Sequence, residues 1–352
     1  MYIQSEARQD IAFHVPPVRV SWATHLIFVL GRCGEERALR IYASPGLHVT
    51  LAVTETCPCR SGRLIRDCCG ATGTLFRAAA STTPPPPATD FTHPDCYAGA
   101  LCDCSTKISG EHYISADVLQ ALGDLGPVSG FTWLGPDGSA KVVAPGALVG
   151  NVLCKRHNEA LSSIDARAGQ FFRQLQAADE FLQRAAGTFE IYLANGHDLE
   201  RWLLKMLCGV VAADVVDTVQ VPRPWRPPIA WLRILFGGER FPPGWGLYVP
   251  APIGHADQVV ERVEAAVISN TTDGIYGLTC RLRDKQLVLA MIRPATPLPA
   301  DSVLAHAIYR PGELLLQMDE RRFSVMFCWE QGPARLAITW QYARPVTDRS
   351  SN

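Results

Sequence analysis

The sequence predicts an α+β protein in three parts: a small metal-held knuckle, a ββα-metal unit of treble-clef type, and a C-terminal α+β region with antiparallel strands. Three observations carry this expectation. Eight of the 12 cysteines fall between Cys57 and Cys154, in close pairs. Apolar residues recur at helical spacing through Phe171, Phe172, Leu175, Ala178, Phe181 and Leu182. Two late stretches, 274–292 and 322–342, read as strands with polar turns.

Composition narrows the function classes. The chain has 352 residues, 47% hydrophobic and 19% charged, which is enough apolar material for a buried core. The formal net charge is −1, so no global basic field holds nucleic acid. No apolar run reaches the roughly 18–20 residues of a membrane span. A basic stretch followed by an apolar one is missing from the first residues, where Glu6 and Asp10 stand, so no secretory signal is read. A cytoplasmic, reducing setting follows as the expectation. There cysteines are kept as thiols, and zinc is a better reading of the clusters than disulfides.

In chain order, residues 1–56 hold apolar stretches at 18–30 and 38–53, the second alternating as strands do. The methionine after Met1 is Met206, so this segment is either an over-extended start or a strand-rich cap. Residues 57–80 form the knuckle, with 71–80 continuing as a short helix. The run Pro84 to Pro87 marks 81–93 as a stiff, solvated linker that lets the knuckle move independently. Residues 94–188 carry the second Cys/His group and a helix over 165–187, capped by Asp165 and stopped by Gly187. Residues 189–345 make the C-terminal α+β domain. It opens with a strand at 189–194 and a helix at 198–213, started by His197-Asp198. His197 and Glu200 are read as a helix cap and a solvated face.

The knuckle reads Cys57-Pro-Cys59, eight residues, then Cys68-Cys69-Gly70. Four thiols within so short a loop suit one tetrahedral zinc ion, and metal binding must supply most of the folding free energy of so small a unit. The proline after the first cysteine, Ser61-Gly62 and the trailing glycine make it resemble the SEC-C motif. That resemblance implies a structural zinc and docking to a protein partner. Arg60, Arg63 and Arg66 add a basic face.

The second group is Cys96, Cys102, Cys104, Glu111-His112, Asn151 and Cys154-Lys-Arg-His157-Asn158. Cys96 and Cys104 with Cys154 and His157 supply four zinc ligands from a knuckle and a helix start. Cys102 competes with Cys104, which lies closer to the following strand. A neutral histidine can take a proton from water near pH 7, and carboxylate and amide oxygens suit Mg²⁺ or Mn²⁺. Residues 108–115 and 151–158 together resemble an HNH endonuclease of the ββα-metal fold. By position, the resemblance implies His112 as general base, Glu111 and Asn158 as ligands of a divalent cation, and Asn151 as the residue that orients His112. It implies hydrolysis of DNA phosphodiesters. Asn158 can alternatively cap the helix. Lys107, Lys141, Lys155 and Arg156 are available to phosphates, offset by nearby aspartates. The rival expectation is a non-catalytic zinc scaffold that binds protein or nucleic acid. Its two zinc ions, a DNA or protein partner and no membrane contact complete the reading; the oligomeric state is left open.

Overall fold

The computed structural model describes residues 29–33, 36–43, 47–72, 75–123, 127–134, 140–184, 187–218, 221–250, 263–270, 272–283, 285–294, 304, 307–330 and 337–341. The chain is α+β. It opens with an antiparallel meander, β1 (Val29–Cys33), β2 (Glu36–Ala43) and β3 (Leu47–Ala52). The expected strands are there; the apolar stretch before residue 29 lies outside the described residues. The knuckle follows. Beyond it, residues 75–80 are irregular rather than helical, and Leu75 and Arg77 make contacts with the distant C-terminal sheet.

The middle of the chain is a strand, an insertion, a strand and a helix. β4 (Ile108–His112) pairs antiparallel with β7 (Val149–Cys154). Between them lie α1 (Ala116–Leu122), β5 (Pro127–Ser129) and β6 (Lys141–Val142). β7 runs directly into α2 (Lys155–Gln183), 29 residues and about 44 Å long. The sequence expectation of a helix capped by Asp165 is thus corrected. The helix begins ten positions earlier, at the Cys154/His157 pair, and Asp165 lies inside it, paired with Lys205. Gly169 is required where α1 crosses α2, since a Cβ there would sit 2.6 Å from the Asp117 Cβ.

β8 (Phe189–Asn195) leads to α3 (Gly196–Ala212), whose start is capped by the Asn195 side chain accepting from the His197 and Asp198 amides. α4 (Ile229–Phe236) and β9 (Gly246–Pro250) follow. The rest is β10 (Val263–Asn270), β11 (Gly274–Leu282), β12 (Lys285–Ala290), β13 (Ala307–Tyr309), β14 (Glu313–Met318), β15 (Arg321–Cys328) and β16 (Ala337–Gln341).

Two sheets organise these strands, one of seven in the order β13-β9-β12-β11-β10-β5-β6 and one of four, β16-β14-β15-β8. The C-terminal strands are not purely antiparallel. β8 runs parallel to β15, and β16 runs parallel to β14. Parallel neighbours require long crossovers, and here α3 and the seven-stranded sheet fill the crossover between β8 and β15. α3 lies in the middle of the protein, and residues 196–211 are all buried. No helix among the described residues is long and apolar enough to cross a membrane.

The proline stretch is exposed, as expected, but it is not loose. Arg156 donates to the carbonyls of Pro85 (2.5 Å) and Pro87 (3.1 Å), and Ser163 donates to that of Ser81 (2.6 Å). Thr89 is bound through its amide to Asp103 and through its hydroxyl to the Cys104 carbonyl. The knuckle itself packs on the four-stranded sheet, with Ile65 and Leu75 against Ile191, Leu193, Met326 and Cys328. This apolar contact seats the knuckle on the sheet and argues against the independent motion expected from the linker. Protease should still cut the exposed residues 83–92, but the two pieces should remain together and elute as one species in size-exclusion chromatography. Separation without denaturant would contradict this packing.

Candidate metal centres

In the first centre the backbone makes the cage. Arg60 has φ of 59° and Gly62 of 77°, so the chain reverses tightly after Cys59. The Cys57 amide bonds the Arg63 carbonyl at 2.8 Å and closes the loop. A short 3-10 turn, Ile65–Asp67, then returns Cys68 and Cys69. Gly70 completes it, since a Cβ there would lie 2.5 Å from the Ile65 side chain. The four sulfurs lie within 4.8 Å of one another. Cys59 and Cys68 are 3.5 Å apart, and Cys68 and Cys69 3.9 Å. A disulfide needs about 2.05 Å. Tetrahedral ligands on a zinc ion at about 2.3 Å stand roughly 3.8 Å apart, so the spacing fits a shared metal and not a disulfide.

Electrostatics agree. Hydrogen bonds from the Cys57 and Cys69 thiols hold the Cys59 thiol far below its ordinary pKa, while those to Cys57 and Cys59 push Cys69 far above it. Crowded thiols cannot all ionise without a cation among them. The Ser61 hydroxyl touches the Cys68 sulfur at 3.2 Å. The knuckle is tied inward by Gln170, which donates to the carbonyls of Cys59 (3.0 Å) and Arg60 (3.3 Å). Arg77, also buried, links the Gln170 side-chain oxygen, the Tyr192 hydroxyl and the Leu193 carbonyl. Of the basic face, Arg60 pairs with Glu190, while Arg63 and Arg66 stay exposed.

The second centre joins three elements. The Tyr97 amide bonds the Val152 carbonyl at 2.9 Å and hangs the 96–104 loop on β7. Cys154 ends β7, and His157 lies in the first turn of α2. His157 Nδ1 is 3.2 Å from the Cys154 sulfur, 3.7 Å from Cys96 and 3.8 Å from Cys104. All four residues are buried, and their ligand atoms lie within 4.8 Å of one another. Cys102 is exposed in a left-handed conformation (φ 53°), so Cys104 is the member that joins the cluster. The Ser105 amide points at the Cys154 sulfur at 3.4 Å, and the start of α2 adds its positive end. Burial works against a charged His157, yet the Cys104 and Cys154 thiols prevail and raise it to about 9. The ring packs edge-on to Phe236 at 4.7 Å.

The four residues that the HNH resemblance assigns to catalysis are placed as follows. β4 carries a bulge between Ser109 and Glu111. Asn158 spans it, donating to the Ser109 hydroxyl (2.8 Å) and the Gly110 carbonyl (3.3 Å). It is not a helix cap, since Cys154 holds that position. Asn151 is exposed opposite Gly110. Glu111 turns into the core, 2% exposed, with Lys205 Nζ 2.5 Å away. Burial pushes it up to about 7, and Lys205 pulls the other way. His112 is half-buried, and burial followed by the charge of Lys205 lowers its pKa, so the ring is neutral near pH 7. Among the basic residues, Arg156 pairs with Asp103 at 2.9 Å, Lys155 with Glu159, and Lys141 bonds the Leu134 carbonyl.

Sequence reasoning missed the charged interior of α3. His197 and Glu200 are buried and meet at 2.8 Å, Glu200 also binds Arg310, and Lys205 binds Glu111 and Asp165. The signal was there in ionisable residues at helical spacing among Trp202, Leu203 and Met206. No protein-family model matches the chain, and no curated protein or solved structure is significantly similar to it.

Proposed function

We propose that the chain is a non-catalytic zinc scaffold whose two centres each hold one structural zinc ion. The first resembles a SEC-C knuckle and the second the zinc site of an HNH-type ββα unit. Full ligation by four protein groups, all buried in the second centre and three of them in the first, supports a structural role, because no position is left for water on the metal. The observation that carries the reading is Glu111, whose carboxylate is turned inward onto Lys205 rather than outward toward a substrate. Contact with a protein partner falls to the outer rim of the knuckle, where Arg63 and Arg66 are exposed, because its inner face is used within the chain. Three of the four basic residues near the second centre, Arg156, Lys155 and Lys141, are engaged by aspartate, glutamate and carbonyl groups, which disfavours phosphate binding there.

One observation favours the nuclease reading: His112 is half-buried and neutral, as a general base must be, on the strand that Asn158 touches. The two readings separate in one assay. Elemental analysis should find two zinc ions per chain. Zinc-loaded protein should leave plasmid DNA uncut in Mg²⁺ or Mn²⁺, with His112→Ala indistinguishable from it. Cleavage by the wild type that His112→Ala abolishes would establish the nuclease instead.

A further inference from the structure

A hydrolytic Mg²⁺ ion needs oxygen donors free to close on it at about 2.0–2.1 Å. The residues that the ββα resemblance would assign to it do not fit that need. The Glu111 carboxylate is buried with an ammonium 2.5 Å from its Oε1. That ammonium, on Lys205, is itself 2% exposed and also lies 2.6 and 2.7 Å from the two oxygens of Asp165. Asn158 donates its Nδ2 to Ser109 and Gly110, which holds the side chain on the β4 bulge. We infer that Lys205 is the resident cation of this unit: its ammonium holds the Glu111 carboxylate beside Asp165, and so keeps from a divalent ion the one carboxylate that the resemblance would give it.

The packing explains why the charge is there. Glu111 comes from β4, Asp165 from α2 and Lys205 from α3, so one ammonium joins three elements. The buried Glu111 carboxylate beside the partly buried Asp165 would meet repulsion and a desolvation cost without a cation. A lysine on a buried helix supplies that cation permanently. A divalent ion placed beside it would meet a like charge at contact distance in a low-dielectric site.

The test uses the zinc-loaded full chain and Mn²⁺ as the probe, with binding followed by loss of the free-ion paramagnetic resonance signal and stability followed by Tm. The wild type should show no Mn²⁺ binding that depends on Glu111, so Glu111→Gln should leave its Mn²⁺ response unchanged. Lys205→Ala should have a lower Tm without Mn²⁺, take up one Mn²⁺ per chain and recover part of the lost Tm. Lys205→Ala combined with Glu111→Gln should lose that uptake. Wild-type binding that Glu111→Gln removes would overturn the inference. So would a folded Lys205→Ala that ignores Mn²⁺, or one that stays unfolded at every Mn²⁺ concentration. Zinc content is read in parallel, so that collapse of the metal centres, which bears on the two-zinc reading, is distinguished from failure of this one.

Discussion

A strong chelator is expected to unfold the middle of the protein, not merely to empty two sites. The second centre is the junction of the 96–104 loop, β7 and α2, and its ligands are buried among the main core. Structural zinc contributes about 10–16 kcal/mol of apparent binding free energy in small zinc modules. Whole domains are stable by only about 5–15 kcal/mol. Removing the ion therefore removes as much free energy as the fold has to spare. Near-ultraviolet circular dichroism should collapse as zinc is withdrawn, and Cys154→Ala should reproduce the effect. Cys102→Ala should not, because Cys102 is exposed and faces away from the cluster. Loss at the first centre should be milder. The knuckle would come off, exposing Ile191, Leu193 and Met326, while the sheet beneath keeps its own hydrogen bonds. A chelated protein that keeps its near-ultraviolet spectrum would show that the thiols hold the fold without metal.

Both clusters were legible because their ligands lie close along the chain or at a fixed helical offset, as Cys154 and His157 do. The choice of Cys104 over Cys102 was legible for a related reason: it adjoins the strand that leaves the site. What escaped the sequence depends on partners far away. Asp165 has the composition of a helix cap, and only the position of Lys205 on another helix makes it an interior ion-pair residue. The proline stretch reads as a free spacer because its anchors, Arg156 and Ser163, lie about 70–80 residues later. β8 and β15 alternate no differently when paired in parallel, so their direction left no trace in the residues. Glu111-His112 shows the limit most sharply. The pair was found in its expected strand, but which of the two faces the core was set by a bulge at Gly110 and by α3.

Arg310→Met is expected to be among the most damaging single substitutions outside the metal centres. Glu200 on α3 is fully buried, and its carboxylate is met by Arg310 Nε at 2.7 Å, Arg310 Nη2 at 3.1 Å, the Leu247 amide at 2.9 Å and the His197 ring at 2.8 Å. The chain is shaped around this group: Gly246, with φ of 122°, passes so close that a Cβ would lie 2.0 Å from Glu200 Oε1. Arg310 also lies over the Trp329 ring at 5.4 Å, so its loss removes packing as well as charge. Breaking one side of a buried ion pair costs about 3–5 kcal/mol, chiefly because the remaining charge has no compensation. Urea unfolding should therefore show an unfolding free energy lowered by that amount, read as an earlier midpoint with little change in slope. Glu200→Gln combined with Arg310→Met should recover much of the loss, since the stranded charge is then gone and the amide can still accept from Leu247. If the double substitution is no better than the single one, the damage comes from the cavity beside Trp329, and the charge of Glu200 is not what Arg310 is there to neutralise.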